Sequence, residues 1–110
     1  KDGGKVAYTF NQALLDYDCF GIPKGAPNKD LAMKFLAEIS KPQYQAEFTK
    51  YITYGPTNKK AYDLGTIDAA YAKRLPSHPD NAAKQLPINL DWYIKYEAQA
   101  ATAYQNMLTE

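Results

Sequence analysis

Apolar residues along this chain change period several times, and each change predicts an element. Val6-Ala7-Tyr8-Thr9-Phe10 alternates, with Val6, Tyr8 and Phe10 on one face, the pattern of a half-buried strand. Asn11 to Leu15 reads as a bend or short turn leading into an acidic patch, and Cys19-Phe20-Gly21-Ile22, stopped by Pro23, as a short buried strand weakened by its glycine. The period then lengthens. Leu31, Phe35, Leu36 and Ile39 recur at helical spacing behind Asn28, a natural N-cap, and Asp30 suits the positive end of the helix dipole. Ser40-Lys41-Pro42-Gln43 has the form of a capping box with proline in the first turn. It opens a second helix whose apolar stripe is Tyr44, Phe48, Tyr51 and Ile52. So short a link predicts a helical hairpin on a shared core.

Tyr54-Gly55-Pro56-Thr57 is turn chemistry. Asn58 is placed to cap a short helix through Leu64, closed by Gly65 in the left-handed conformation. Thr66 is read as the cap of another short helix running to Leu75, before Pro76. Pro76 to Asp80 reads as irregular, and the segment to Pro87 as an ordered surface loop. Asn89 or Asp91 opens a last helix, with Tyr93, Tyr96, Ala100, Ala103, Tyr104 and Met107 on one face. Strands in front and helices behind suggest α/β. Two short strands cannot make a sheet worth burying, so the rest of the sheet is expected from elsewhere.

Composition narrows the possibilities. The chain has 110 residues, one domain at most or a piece of a larger one. Its opening Lys-Asp-Gly-Gly resembles the interior of a loop, which suggests a fragment. Hydrophobic residues make up 45%, enough for a core, and the ten tyrosines suit half-buried faces and wet clefts. Thirteen basic and twelve acidic residues leave a net charge of +1, which argues against a nucleic acid or anionic membrane as a charge-driven partner. The single cysteine, Cys19, rules out an internal disulfide and a multi-thiolate metal site, and reads as a small buried filler. No stretch approaches the roughly 18 apolar residues of a membrane span, and no basic-then-apolar signal segment appears.

The densest chemistry lies at Asp16-Tyr17-Asp18. Carboxylates at the mouth of a buried strand are costly unless a cation meets them, so the pair is a candidate cation site. The alternative is a solvated turn paired with nearby lysines. Tyr17 faces a ligand or, alternating with the acids, the core. Tyr54 lines a cleft or makes a structural hydrogen bond in its turn. Asn58 is better read as a helix cap than a ligand contact, Lys59-Lys60 as a solvated helix face, and His78 as a surface residue. Trp92, Tyr93 and Tyr96 form either core or an aromatic wall.

In order and spacing, Asp16-Tyr17-Asp18, Ile22-Pro23-Lys24-Gly25, the Asn28-capped helix, the helix after it, Tyr54-Gly55-Pro56-Thr57-Asn58, the Leu75-Pro76 turn and the Trp92-containing helix resemble the C-terminal portion of bacterial solute-binding proteins of ABC importers. The nearest branch is the polyamine-binding one. The resemblance implies a segment of a two-lobed type II periplasmic-binding-protein fold, α/β overall, mostly helical here with two or three short strands. Residues 1–14 would be a strand and hinge crossing from one lobe, and 15–110 the helical C-terminal part of the other. It further implies Asp18 against a ligand ammonium, Tyr54 lining the cleft, and Asp16 where many polyamine binders carry tryptophan. Tyr17 between them completes the candidate set. The implied partners are a small amine solute, the remainder of the two-lobed protein and an ABC permease, with a periplasmic or extracellular location and contact with the membrane only through the permease. Neither a cofactor nor a metal is expected.

Two other classes stand beside transport. A tyrosine-rich helical interaction module would also explain an incomplete sheet. An enzyme is disfavoured, because the lone His78 and Cys19 supply no nucleophile–base pair, Asp16 and Asp18 would sit side by side rather than flank a scissile bond, and Gly25-Ala26-Pro27-Asn28 lacks the phosphate-loop spacing.

Overall fold

The computed structural model describes residue 5 and residues 7–109. Its elements run β1 (Leu14–Leu15), α1 (Lys29–Ile39), α2 (Pro42–Phe48), a 3-10 helix (Lys59–Leu64), α3 (Ala69–Ala72), α4 (Pro79–Ala82), β2 (Leu86–Pro87) and α5 (Leu90–Thr109).

The two strands pair in parallel, Leu14 with Leu86 and Leu15 with Pro87. The N–H groups of Leu86 and Ile88 donate to the carbonyls of Ala13 (2.9 Å) and Leu15 (3.0 Å), and the Gln12 N–H donates to Lys84 (2.8 Å). This ladder falls on residues expected to form a bend. Of the strand expected at Val6–Phe10, Val6 lies outside the described residues and 7–10 carry no regular structure. The strand expected at Cys19–Ile22 is also missing, and both Cys19 and Phe20 are exposed. Alternation prepares a face for burial, but a strand also needs a neighbour for its backbone groups. Among the described residues β2 reaches only β1.

Helix α1 begins and ends where its periodicity says. Asn28 holds the N-cap position but makes no side-chain cap bond. The capping box at Ser40 does not form. Ser40 instead closes α1, its hydroxyl donating to the Leu36 carbonyl at 2.7 Å, while Lys41 takes the cap position of α2 and Pro42 its first turn. Asn58 and Gly65 behave as expected, the first accepting the Lys60 N–H and the second sitting at φ 71°. The next cap is Asp68 rather than Thr66, because Asp68 Oδ1 reaches the Tyr71 N–H at 2.9 Å. Instead of loop throughout, residues 76–87 contain α4 and β2. His78 caps α4 and packs edge-to-face on Tyr62 at 5.6 Å, so it is half-buried rather than a plain surface residue.

The core is small. Ala46, Ala61, Ile67, Ala72 and Leu75 are buried together, with Tyr62 and Tyr71 packed against them. It joins α2, the 3-10 helix and α3, and Asn81 supports it by donating to the Lys73 and Leu75 carbonyls at 2.8 and 2.9 Å. The expected shared core of an α1–α2 hairpin is not there: α1 buries no residue, and Phe48 and Tyr51 of the second stripe stand exposed while Ala46 on another face of α2 is buried. Similarly, α5 buries none of its side chains.

Candidate functional site

The acidic segment leaves β1 at Leu15 and runs through irregular backbone, not from the mouth of a buried strand. Asp16, Tyr17 and Asp18 are all exposed, and at 59% exposure Tyr17 is not a core residue. Asp16 Oδ1 accepts the Tyr17 N–H at 2.8 Å, a local turn bond. The Cys19 thiol lies 3.8 Å from the Tyr17 carbonyl, exposed rather than serving as filler. Among the described residues neither carboxylate is ion-paired, so no lysine of the described chain neutralises them.

Tyr54 sits on a far more constrained segment. Gln45 of α2 spans the turn that follows it, with Oε1 accepting the Asn58 N–H at 2.8 Å and Nε2 donating to the Thr57 hydroxyl at 3.2 Å. Asn58 Nδ2 donates to the Ser40 carbonyl at 3.1 Å, tying the turn to the α1–α2 junction. From the opposite side the Ser77 hydroxyl donates to the Pro56 carbonyl at 2.6 Å and lies 2.8 Å from the Tyr62 hydroxyl. Because the serine proton is committed to Pro56, the phenol is the donor in the second bond. Pro56 is buried, and Gly55 passes so close to Ser77 that a Cβ there would stand 2.7 Å from the Ser77 nitrogen. The turn is held from three directions, and it presents Tyr54, 53% exposed, on its outer side.

No hydrogen bond or ion pair joins Tyr54 to Asp16, Tyr17 or Asp18 among the described residues. Gln45 and Ser77, which fix the turn, carry no sequence signal, since each is an ordinary polar residue whose role depends on a partner 12 or more positions away. Trp92 and Tyr93 are exposed and Tyr96 is half-buried, a surface cluster rather than core, with ring centroids 5.3 and 5.5 Å from Trp92 and the Lys95 ammonium 5.0 Å from the Tyr96 ring. A half-open concavity of about 320 Å³ lies beside the Tyr54 turn, lined by Tyr8, Thr53, Tyr71, Arg74 and Leu75. Among the described residues no three potential metal ligands cluster, and no helix is long and apolar enough to cross a membrane.

Comparison with known proteins agrees with this architecture. A gamma-aminobutyric acid-binding protein of Pseudomonas aeruginosa is 32% identical over 96 residues, covering 87% of this chain and 27% of that protein. Among solved structures, an ABC transporter substrate-binding protein from Bradyrhizobium japonicum is similar with a TM-score of 0.77 and 38% identity, over 99% of this chain and 34% of the other. The periplasmic binding protein MotA of Agrobacterium tumefaciens B6, in complex with glucopine, matches with a TM-score of 0.74 and 40% identity, over 96% and 32%. AgtB of A. tumefaciens R10, in complex with agropinic acid, matches with a TM-score of 0.67 and 36% identity, over 94% and 32%. The chain therefore spans about a third of the length of these relatives. Residues 1–83 match the family described as bacterial extracellular solute-binding protein, and the chain belongs to that family.

Proposed function

We propose that this chain is the C-terminal part of a two-lobed solute-binding component of an ABC importer. The protein captures a small solute bearing a cationic amine and delivers it to the permease from the periplasmic or extracellular side. Residues 1–14 enter from one lobe and 15–110 belong to the other. The mechanism is closure of two lobes over the solute, in which binding shifts an open–closed equilibrium and no bond is made or broken.

The observation that carries this reading is the pair of exposed carboxylates after β1, without a described cationic partner, in a chain of this family. Asp18 is the acid assigned to the solute ammonium, with Asp16 as a second anionic centre, Tyr17 as a flanking ring, and Tyr54 as a cleft wall delivered by its clamped turn. Closure matters energetically. Two unit charges about 4 Å apart gain roughly 4 kcal/mol at an effective dielectric near 20, and desolvation takes back several. A clamp that excludes water only after the guest has entered keeps the balance favourable.

Polyamines fit the two carboxylates. The relatives named for gamma-aminobutyric acid and agropinic acid point to solutes that carry an acid, so the class we assign includes amines that also bear a carboxylate, and the amine itself is assigned from the two exposed carboxylates of this chain. The test is titration calorimetry on the intact protein with putrescine, γ-aminobutyrate and lysine. Asp18→Ala is expected to weaken the amine that binds by at least tenfold. Unchanged affinity removes Asp18 from the site, and stabilisation of the parent only by sugars or purely acidic solutes removes the amine assignment.

A further inference from the structure

We infer that the concavity beneath the Tyr54 turn is a carboxylate-binding subsite whose anchor is Arg74. Its lining is divided. Leu75, fully buried, and the Tyr71 ring give it an apolar floor, while Arg74, Thr53 and Tyr8 bring polar groups to its edge. Among the described residues no acidic one lines it. Arg74 is the sole arginine of the chain and forms no ion pair with a described residue. The Tyr71 hydroxyl is already committed, donating to the Thr49 carbonyl at 2.9 Å, so it holds the floor rather than the guest. The Thr53 and Tyr8 hydroxyls have no such bond among the described residues, which leaves two neutral donors beside one guanidinium.

That donor set suits a carboxylate. A guanidinium offers parallel N–H groups that match the two oxygens, and hydroxyls satisfy the remaining lone pairs. A volume of about 320 Å³ is at the small end of ligand pockets, room for a short organic acid whose methylenes lie on Leu75 and Tyr71. Thr53 precedes Tyr54 directly, so the subsite adjoins the cleft wall assigned above. The inference rests on the solute-binding reading but not on Asp18.

The experiment uses the intact protein and three four-carbon probes: butyrate, butylamine and γ-aminobutyrate. Calorimetric titration is made on wild type, Arg74→Gln, Arg74→Lys and Asp18→Asn, with unliganded Tm as the check on folding. Arg74→Gln is expected to weaken butyrate and γ-aminobutyrate at least tenfold, about 1.4 kcal/mol, while butylamine changes less than twofold; Arg74→Lys recovers part of the loss. Butyrate binding that survives Arg74→Gln overturns the subsite, as does a wild type that binds neither carboxylate probe. A loss of Tm in Arg74→Gln without loss of probe affinity also overturns it, because the arginine then serves an acid of the protein itself. Failure of the amine reading looks different, since Asp18→Asn would leave butylamine affinity intact while the Arg74 variants still discriminate against butyrate.

Discussion

A relay of two hydroxyls does much to fix the turn behind Tyr54. The Tyr62 phenol donates to Ser77, which donates to the Pro56 carbonyl. Tyr62→Phe removes the first bond and keeps the packing, so a loss of about 1 kcal/mol is expected in urea unfolding of the intact protein. The same phenol gives the stability a pH dependence. Burial raises its pKa above the ordinary 10.0, and a phenol that donates its proton to Ser77 is held in the same neutral form. The folded state therefore prefers the neutral phenol. Its contribution is complete below about pH 10, the unfolded value, and is lost as pH rises through the higher folded value. Tyr62→Phe should flatten that part of the stability curve, and an unchanged alkaline slope would show that the phenol does not carry it. Gly55→Ala probes the same contact from the other side. The added methyl would stand 2.8 Å from Ser77 Cβ and 2.7 Å from its nitrogen. Backbone has to move, at a cost of roughly 1–3 kcal/mol, and Tyr54 moves with it. Thermal unfolding within error of wild type would mean that the turn is not wedged there.

Caps separate what the sequence shows about the elements from what it hides. Asn58 and Gly65 were legible because both ends of that helix are set by local chemistry, a side-chain acceptor at one end and a left-handed residue at the other. For the last helix the sequence offered Asn89 or Asp91, and the geometry selects Asn89, whose Oδ1 accepts the Trp92 N–H at 3.0 Å, while Asp91 lies in the first turn. Residues 79–82 were not legible, because His78 is an uncommon cap and so short a helix has no apolar period to reveal it. The strand at 14–15 was hidden too: its partner lies 72 positions away, and two residues leave no alternation. Candidate site residues fared similarly. Tyr54 was singled out by the family resemblance and its turn by local chemistry, whereas the parts played by Gln45 and Ser77 and the concavity beside Arg74 exist only through long-range contacts. Two asparagines with the same apparent role then make a direct comparison. Asn58 caps Lys60 and also holds the Ser40 carbonyl, so Asn58→Ala should cost about 1–2 kcal/mol. Asn28 makes no cap bond, so Asn28→Ala should stay within about 0.5 kcal/mol. Chemical denaturation of both variants checks the pair, and equal losses would contradict the difference in geometry.

At the scale of the molecule the surface is too large for the mass. The accessible area is 9481 Å², where a compact chain of 12.3 kDa would expose about 6,100 Å². The radius of gyration is 17.7 Å, against about 13 Å for a compact domain of this length. An excess of about 3,400 Å² is several times one side of an ordinary protein interface, roughly 800 Å² per partner. Phe20, Phe35, Tyr51 and Ile94 stand 58–85% exposed within it. The apolar stripes of α1, α2 and α5 have the spacing of faces for burial, yet within the described chain they stand largely exposed. On the function proposed above, the remainder of a two-lobed protein supplies the cover; the similar solved chains are about three times as long as this one. The 110 residues made alone should therefore bind a hydrophobic dye strongly and self-associate in sedimentation velocity, while the intact protein does neither. Urea unfolding of the isolated chain should be broad, because the five apolar residues buried among those described are too few to impose a cooperative transition. A monomeric, dye-silent chain with a sharp transition would mean that these faces find cover within the 110 residues, which favours an autonomous helical module over one part of a clamp.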